Sequence, residues 1–511
     1  MNPTVSTSWL SAMVAVIFLA LAILVRFRGV ARRRNFLPGP SGIPWIGQAL
    51  EIPTLHTHLY YTQLQKTYGD IYTLTALGQK LIILNTYEVC FDVLAKQGAI
   101  HCDRPPNPYI TRFLGLEYGV ALMNANNDWR EGRRLFQMTL NKDASRMHFA
   151  EDIAFQARSY VLRGIEHNQD NNNEFLDAAL HKIFLQSTYG IALGNDDPLL
   201  QTALEATEIA SKSLLPTKHL VNLFPNLQHL PAWVPFQTWR TESKEARKVL
   251  DPLSEIPWQH VLTSKTEGSA SESVAFRCMC EQTKENAHIL PTLAGTVLTA
   301  GAETTLGVCR LFILAMLLHP EVQKKAQEEL DRVVGEGRLP TIDDQPNLPY
   351  LDAIVKEVLR WQPVVPFSVP TAPKKADSYG DYYIPHDAVV IQNTWAISRD
   401  EEMYPDPESF NPDRWTVADP PRDSRLWNFG IGRRICPGMA YAEVVYTTLF
   451  MTLLSTVDIL PALDKDGNFE SIDLNNLTTG RVVSIPLPFS YRLSPRSKFA
   501  VSLLREEVMS V

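Results

Sequence analysis

Apolar and polar residues follow three different rhythms along this chain, and each predicts a different element. From Trp9 to Val25 the run WLSAMVAVIFLALAILV holds seventeen residues without a charge. At ~1.5 Å per residue it would form a helix of roughly 26 Å, close to the ~30 Å hydrocarbon core of a bilayer, and Thr7 and Ser8 can extend it. Arg26, Arg28, Arg32, Arg33 and Arg34 follow at once, whereas residues 1–8 carry no Lys or Arg. The positive-inside bias therefore predicts a short lumenal amino terminus (1–7), a transmembrane anchor (8–25) and a cytosolic remainder. A cleaved signal peptide would carry its charges ahead of the apolar core and a small-residue site behind it, and neither is present. In FLPGPSGIPWIG (Phe36 to Gly47) closely spaced prolines and glycines stop the helix, so 26–47 reads as a basic, Pro/Gly-rich hinge.

The second rhythm is strand-like. Residues 70–85 (DIYTLTALGQKLIILN) predict two short strands around a Gly-containing turn, and 382–394 (YYIPHDAVVIQNT) a second strand pair. Most of what remains has helical spacing. The longest such stretch runs from about Glu285 to Leu318 and is followed, after His319-Pro320, by the amphipathic EVQKKAQEELDRVV. A helix of about thirty residues is far above the mean length and would cross a whole domain. Without a linker, a repeat or a composition break, 48–511 reads as one large, mainly α domain with small β-sheets.

Composition narrows the function. With 511 residues, 45% hydrophobic and 20% charged, the chain is neither disordered nor a disulfide-knot scaffold. A net charge of -8 gives no global footprint for nucleic acid. The six cysteines (Cys90, Cys102, Cys278, Cys280, Cys309, Cys436) contain no CxxC pair, which argues against a disulfide framework or a zinc ribbon. The sequon at Asn476 falls on the cytosolic side and is expected to stay unglycosylated.

Four segments carry candidate chemistry. In FGIGRRICPGMAYAE, Cys436 sits between a glycine-containing turn and an apparent helix start. A helix amino terminus favours a thiolate, the form that ligates metal; a lone cysteine is otherwise usually a small buried apolar residue. In AGAETT, Ala300 to Thr305, Gly301 costs about 1 kcal/mol in a helix relative to Ala, so it marks either a close helix crossing or a groove. A Thr304 hydroxyl bonded to the preceding turn would open the helix locally. Glu357 and Arg360 stand at i,i+3 on one helical face, a pair that is common by chance. Trp129 and Arg133 form a WxxxR pattern whose bland reading is the basic face of an amphipathic helix, with Arg130 and Arg134 beside them.

The match of Phe429, Gly432, Arg434, Cys436 and Gly438 to FxxGxRxCxG resembles the haem-ligand loop of the cytochrome P-450 family. The other segments follow in that family's order, so the resemblance covers essentially the whole chain. It implies the P-450 fold with an amino-terminal anchor, and haem b ligated by the Cys436 thiolate, a ligand that pushes electron density to the iron and favours O-O cleavage. By the same resemblance, Phe429 shields the sulfur and Trp129, Arg133 and Arg434 meet haem propionates. Ala300 and Gly301 line the dioxygen groove, Glu303 and Thr304 relay protons, and Glu357, Arg360 and Arg414 form a buried structural network. One departure stands out: Thr371 lies where many members carry a basic side chain directed at a propionate, so this contact is in doubt.

The implied function is a microsomal haem-thiolate monooxygenase that inserts one oxygen atom from O2 into a hydrophobic small molecule. No GxGxxG follows a strand, so electrons from NADPH are expected through a separate reductase, possibly with cytochrome b5. The motifs look most like those of basidiomycete enzymes of specialised metabolism, with a terpenoid substrate ahead of an indole alkaloid or a xenobiotic. The expected location is the endoplasmic reticulum membrane, with the catalytic domain cytosolic and no nucleic-acid partner. A haem-thiolate isomerase or dehydratase, or a haem-binding sensor that has lost turnover, are the alternatives; intact Thr304 and Cys436 argue against both. By family analogy the substrate wall comprises Ile110, Phe113, Leu293, Val297, Val365 and Phe367, with the turn at Thr478-Thr479.

Overall fold

The computed structural model describes residues 35–117, 119–167, 172–463 and 482–509. The anchor expected over 8–25, the arginines behind it, the sequon and the 478–479 turn lie outside the described residues.

The first described helix, α1 (Thr57–Tyr68), stops at Gly69, whose φ of 88° a side chain would resist. Strands β1 (Ile71–Ala76) and β2 (Gln79–Leu84) then pair antiparallel with Ile71 opposite Leu84. Leu77 and Gly78 turn between them, both at positive φ, which is the twist that a two-residue hairpin demands.

Two of the following helices begin with a side-chain cap. Asn126 accepts from the Trp129 N–H at 2.8 Å to start α2 (Asn127–Thr139), and Asn141 accepts from the Ala144 N–H at 2.9 Å to start α3 (Lys142–Glu166). The main α-rich body continues with α4 (Asn172–Tyr189), α5 (Pro198–Ser213) and α6 (Thr238–Glu267). The long central helix α7 runs from Leu290 to Leu318, five residues shorter than its pattern predicts. The reason is local: Thr283 and Asn286 hydrogen-bond each other's backbone N–H, and Pro291 fits only the first helical turn. Its far end closes where the His319 N–H reaches the Ala315 carbonyl, and Pro320 opens α8 (Pro320–Val333).

Two more helices, α9 (Pro349–Trp361) and α10 (Met439–Thr456), pack against α7, as do α4, α5 and α6. Phe312 of α7 stacks on Phe450 of α10 with ring centres 3.7 Å apart. Among the described residues α7 is the one helix long and apolar enough to cross a membrane, and it is mostly buried in this core.

The second predicted strand pair is corrected. Strand β4 (Tyr382–Ile384) pairs with β3 (Asp377–Tyr379), whereas β5 (Val389–Gln392) leaves it and lies parallel to β2, with Leu81 opposite Val389. Pro385 to Ala388 is no tight hairpin turn, and β5 is buried along its whole length, as suits a strand covered on both faces. Strands β6 (Val457–Pro461) and β7 (Tyr491–Pro495) form a third small sheet, and α11 (Lys498–Met509) ends the described chain.

The i,i+3 pair of α9 is fully buried. Both Glu357 oxygens accept from Arg360, at 2.8 and 2.9 Å, and they also take the Arg414 Nε–H, the Trp415 indole N–H and the Asn411 N–H. Arg360 completes its donors on the carbonyls of Ser398, Pro407 and Ser409. The network ties α9 to the segment around Phe410, and Asn428 adds a bond to the Leu359 carbonyl that anchors the loop leading to Cys436. Trp415 belongs to this network although its sequence position gave no hint of it.

Candidate active site

One face of α7 looks into a cavity of about 290 Å3, presenting Val297, Ala300, Gly301, Thr304, Thr305 and Val308 at helical spacing. Across it stands the loop Phe429 to Gly438. Gly432 has a φ of 75°, and a Cβ there would lie 2.0 Å from the Leu94 carbonyl oxygen, so glycine alone lets the loop seat against that segment. The Cys436 N–H closes the loop on the Phe429 carbonyl at 2.8 Å, and α10 begins three residues later.

Cys436 is enclosed by protein yet keeps exposed surface, because it faces the cavity. Burial pushes its thiol up; the Gly438 N–H and the Arg133 guanidinium pull the other way without winning. The Gly438 N–H at the helix start favours the thiolate, as expected, but burial outweighs it. A cation bound to the sulfur would deprotonate it outright.

Three arginines and a tryptophan occupy the rim. Arg133 donates to the Ile435 carbonyl at 2.5 Å, and Arg434 donates to the carbonyls of Cys102, Val120 and Met123. Arg104, which sequence reading missed, donates to the carbonyls of Ala121, Val369 and Pro370. None of the three is ion-paired with a carboxylate among the described residues. Burial lowers Arg104 to about 9, with Arg434 and Arg133 adding to the effect, and lowers Arg434 to about 10, where Cys102 and Asp103 oppose and Arg133 adds. Arg434 also lies 4.5 Å above the Trp129 ring, whose buried indole N–H has no partner among the described residues. The only sequence signal for Arg104 was a charge set between Cys102 and two prolines.

These residues fit a flat, mostly apolar group with a soft metal at its centre and carboxylates at one edge, which describes haem. A thiol, three guanidiniums without a carboxylate partner among the described residues, an unpartnered indole N–H and an apolar slot are the matching parts. Among the described residues there is no cluster of His, Cys, Asp and Glu that could hold a bare metal ion.

The central helix divides its predicted roles. Thr304 lines the cavity, and its hydroxyl donates to the Ala300 carbonyl at 2.9 Å, while α7 continues unbroken through it. Glu303 is buried on the adjoining face and does not line the cavity. Ala300 is exposed to the cavity. At Gly301 a Cβ would come within 2.2 Å of the Phe184 ring, so this glycine serves a close crossing of α4 and α7 as well as the wall. Phe184 is itself wedged edge-on against Tyr441, 5.4 Å away. Gly301→Ala is expected to cost about 1–3 kcal/mol by overpacking, read as a lower urea midpoint with an unchanged slope.

Of the residues expected to line the substrate wall, Val297 and Val365 do so, joined by Ala121, Val364, Ser368 and Val369. Ile110, Phe113, Leu293 and Phe367 are not on this cavity, which corrects those four assignments. Ile110 and Leu293 are packed in the core, Leu293 against Gly132. Phe113 lies under the Arg240 guanidinium, and Phe367 turns toward Tyr61 and His58.

Comparison with known proteins agrees with this arrangement. The family model described as Cytochrome P450 matches residues 37–486. The chain is 33% identical to cytochrome P450 monooxygenase 105 of Postia placenta, over 99% of this chain and 97% of the relative. It is 33% identical to cytochrome P450 monooxygenase COX2 of Coprinopsis cinerea (97% and 96%) and 31% identical to cytochrome P450 monooxygenase claR of Ampulloclitocybe clavipes (93% and 89%).

Proposed function

The chain belongs to the cytochrome P450 family of haem-thiolate monooxygenases, and from that premise we propose that it oxygenates an uncharged, lipophilic molecule of terpenoid type, with Cys436 as the iron ligand. The observation that carries this reading is the placement of the Cys436 thiol across one cavity from Thr304. When bound, the haem supplies the activation of dioxygen with electrons derived from NADPH.

The chain's own residues do the rest. Cys436 gives its thiolate to the metal, and Phe429 covers the sulfur. Arg104, Arg133, Arg434 and the Trp129 indole N–H hold the anionic edge. The Thr304 proton is committed to the Ala300 carbonyl, so Oγ1 meets the cavity as an acceptor that can receive and orient a proton donor. Glu303, one residue before it, is the proton reservoir in this scheme.

The substrate class rests on the upper wall. Ala121, Val297, Val364, Val365 and Val369 are apolar, and Ser368 and the α7 threonines are its polar members. Among the described residues no carboxylate lines the cavity to anchor an amine. An apolar skeleton fits such a wall better than a charged alkaloid. We place the protein in the endoplasmic reticulum membrane through an anchor at 8–25 and a hinge at 26–47, with 48–511 as the cytosolic catalytic domain. Its proposed partners are NADPH-cytochrome P450 reductase and cytochrome b5.

Comparing metabolites of the source organism with and without the gene tests this reading. The expected result is accumulation of a lipophilic precursor one oxygen atom lighter than the lost product. Unchanged profiles, or loss of a charged nitrogenous product, would overturn the substrate class.

A further inference from the structure

A single glutamine ties two walls of the cavity together. Gln392 ends β5, opposite Leu84 of β2, lines the cavity and is 1% exposed. The rest of the strand is Val389, Val390 and Ile391, so an amide at this buried position is costly unless its hydrogen bond is needed. Its Nε2–H donates to the Trp427 carbonyl at 2.8 Å, with a longer 3.5 Å contact to the Thr394 hydroxyl. Only the nitrogen end can face a carbonyl, which fixes the amide's orientation and leaves Oε1 without a partner among the described residues. The Trp427 carbonyl also accepts the Gly430 N–H at 3.1 Å, and the Trp427 indole N–H donates to the Tyr404 hydroxyl at 2.8 Å. Trp427 is thus pinned on both sides where the loop of Cys436 begins. The Gln392 backbone carbonyl, for its part, accepts the Ser368 N–H at 3.2 Å, and Ser368 stands on the upper wall.

We propose that Gln392 is a positioning residue for the sulfur ligand, holding the turn from Trp427 to Gly430 against the sheet of β1, β2 and β5. The Cys436 N–H bonds the Phe429 carbonyl, so the position of that turn sets where the sulfur sits. The anchor is stiff, because the neighbouring Asn393 N–H donates to the Leu84 carbonyl and the Asn393 amide to Asn85. Through its own carbonyl Gln392 also holds Ser368, so the substrate wall and the ligand loop share one support. Deleting the amide removes one of the two donors on the Trp427 carbonyl and lets the loop drift, opening the sulfur to protonation. Asn428 still ties the same turn to the Leu359 carbonyl, so the loop loosens without unfolding. The inference rests on the haem reading above.

The test is the rate at which the reduced, CO-bound protein loses its thiolate-type band in mild urea, alongside the iron–CO stretching band, which responds to the ligand opposite CO, and hydrogen exchange across residues 427–436. Gln392→Leu keeps the bulk and deletes the donor; it should lose the band roughly five- to tenfold faster, shift the stretch and exchange the loop amides sooner. Gln392→Glu can donate only as the neutral acid, so relative to wild type it should decay normally at low pH and approach the leucine variant as the carboxyl ionises. Wild-type decay and an unmoved stretch in Gln392→Leu would overturn the proposal while leaving the haem reading intact. If the leucine variant does not load haem, the glutamate variant decides: decay at a fixed ratio to wild type across pH would overturn the proposal in the same way. A wild-type protein without the thiolate-type CO spectrum would instead overturn the haem reading, and this inference with it.

Discussion

Cys436→Ala should form no oxygenated product above a haem-free control, and its reduced, CO-bound spectrum should lack the thiolate signature. The reason is that nothing else can take the place of the sulfur. Cys102, the nearest alternative in the sequence motifs, is buried with its thiol bonded to the Ala99 carbonyl and does not line the cavity. Water would fill the vacated volume as a neutral ligand unable to push charge toward the metal. Burial pushes this thiol up, so a metal cation bound to the sulfur is what favours the thiolate, and the two losses should appear together. A far-UV circular dichroism spectrum matching wild type distinguishes this loss from unfolding. Persistence of the thiolate band in the variant would sink the assignment.

The second large effect is structural. Glu357→Ala removes one carboxylate that serves five N–H donors at once and leaves Arg360, with no exposed surface, and Arg414, nearly as buried, without their counter-charge. Breaking a buried pair in this way costs about 3–5 kcal/mol, against a total stability of roughly 5–15 kcal/mol for a folded domain. The variant is expected to accumulate poorly and to lose its haem on mild warming, measured as a fall in the thermal midpoint and in the spectroscopically loaded fraction. Glu357→Gln should recover little, since an amide neutralises neither guanidinium and offers one acceptor oxygen where two were used. A midpoint within half a degree of wild type for Glu357→Ala, where a domain of this size shifts by about one degree per kcal/mol, would rule the network out as a major support.

What the sequence made legible followed from how local each signal was. Strands β1 and β2 were readable because alternation and a glycine turn lie within sixteen residues. The pairing of β5 with β2 was not, since the partners are some three hundred residues apart and a buried apolar strand does not name its neighbour. The loop of Cys436 was legible because backbone conformation and chemistry share ten residues. The substrate wall was poorly legible for a different reason. Leu293 lies one turn before Val297 on the same face of α7, yet it is fully buried against Gly132 of α2. Before Ser368 the chain bends, and Phe367 turns toward Tyr61 while Ser368 and Val369 meet the cavity. Apolar side chains look alike in sequence whether they meet a ligand or a neighbouring helix, so only the packing partner separates them.

The three arginines at the rim also bear on how the protein is made. Each is desolvated, none has a counter-ion among the described residues, and all three converge on one place. A newly synthesised chain that closes this wall before an anionic group arrives must confine like charges against each other. The last stage of assembly is therefore thermodynamically linked to cofactor supply. Cells short of iron or porphyrin would hold this chain in a loosened form open to proteases, so its abundance would follow haem synthesis as closely as it follows transcription.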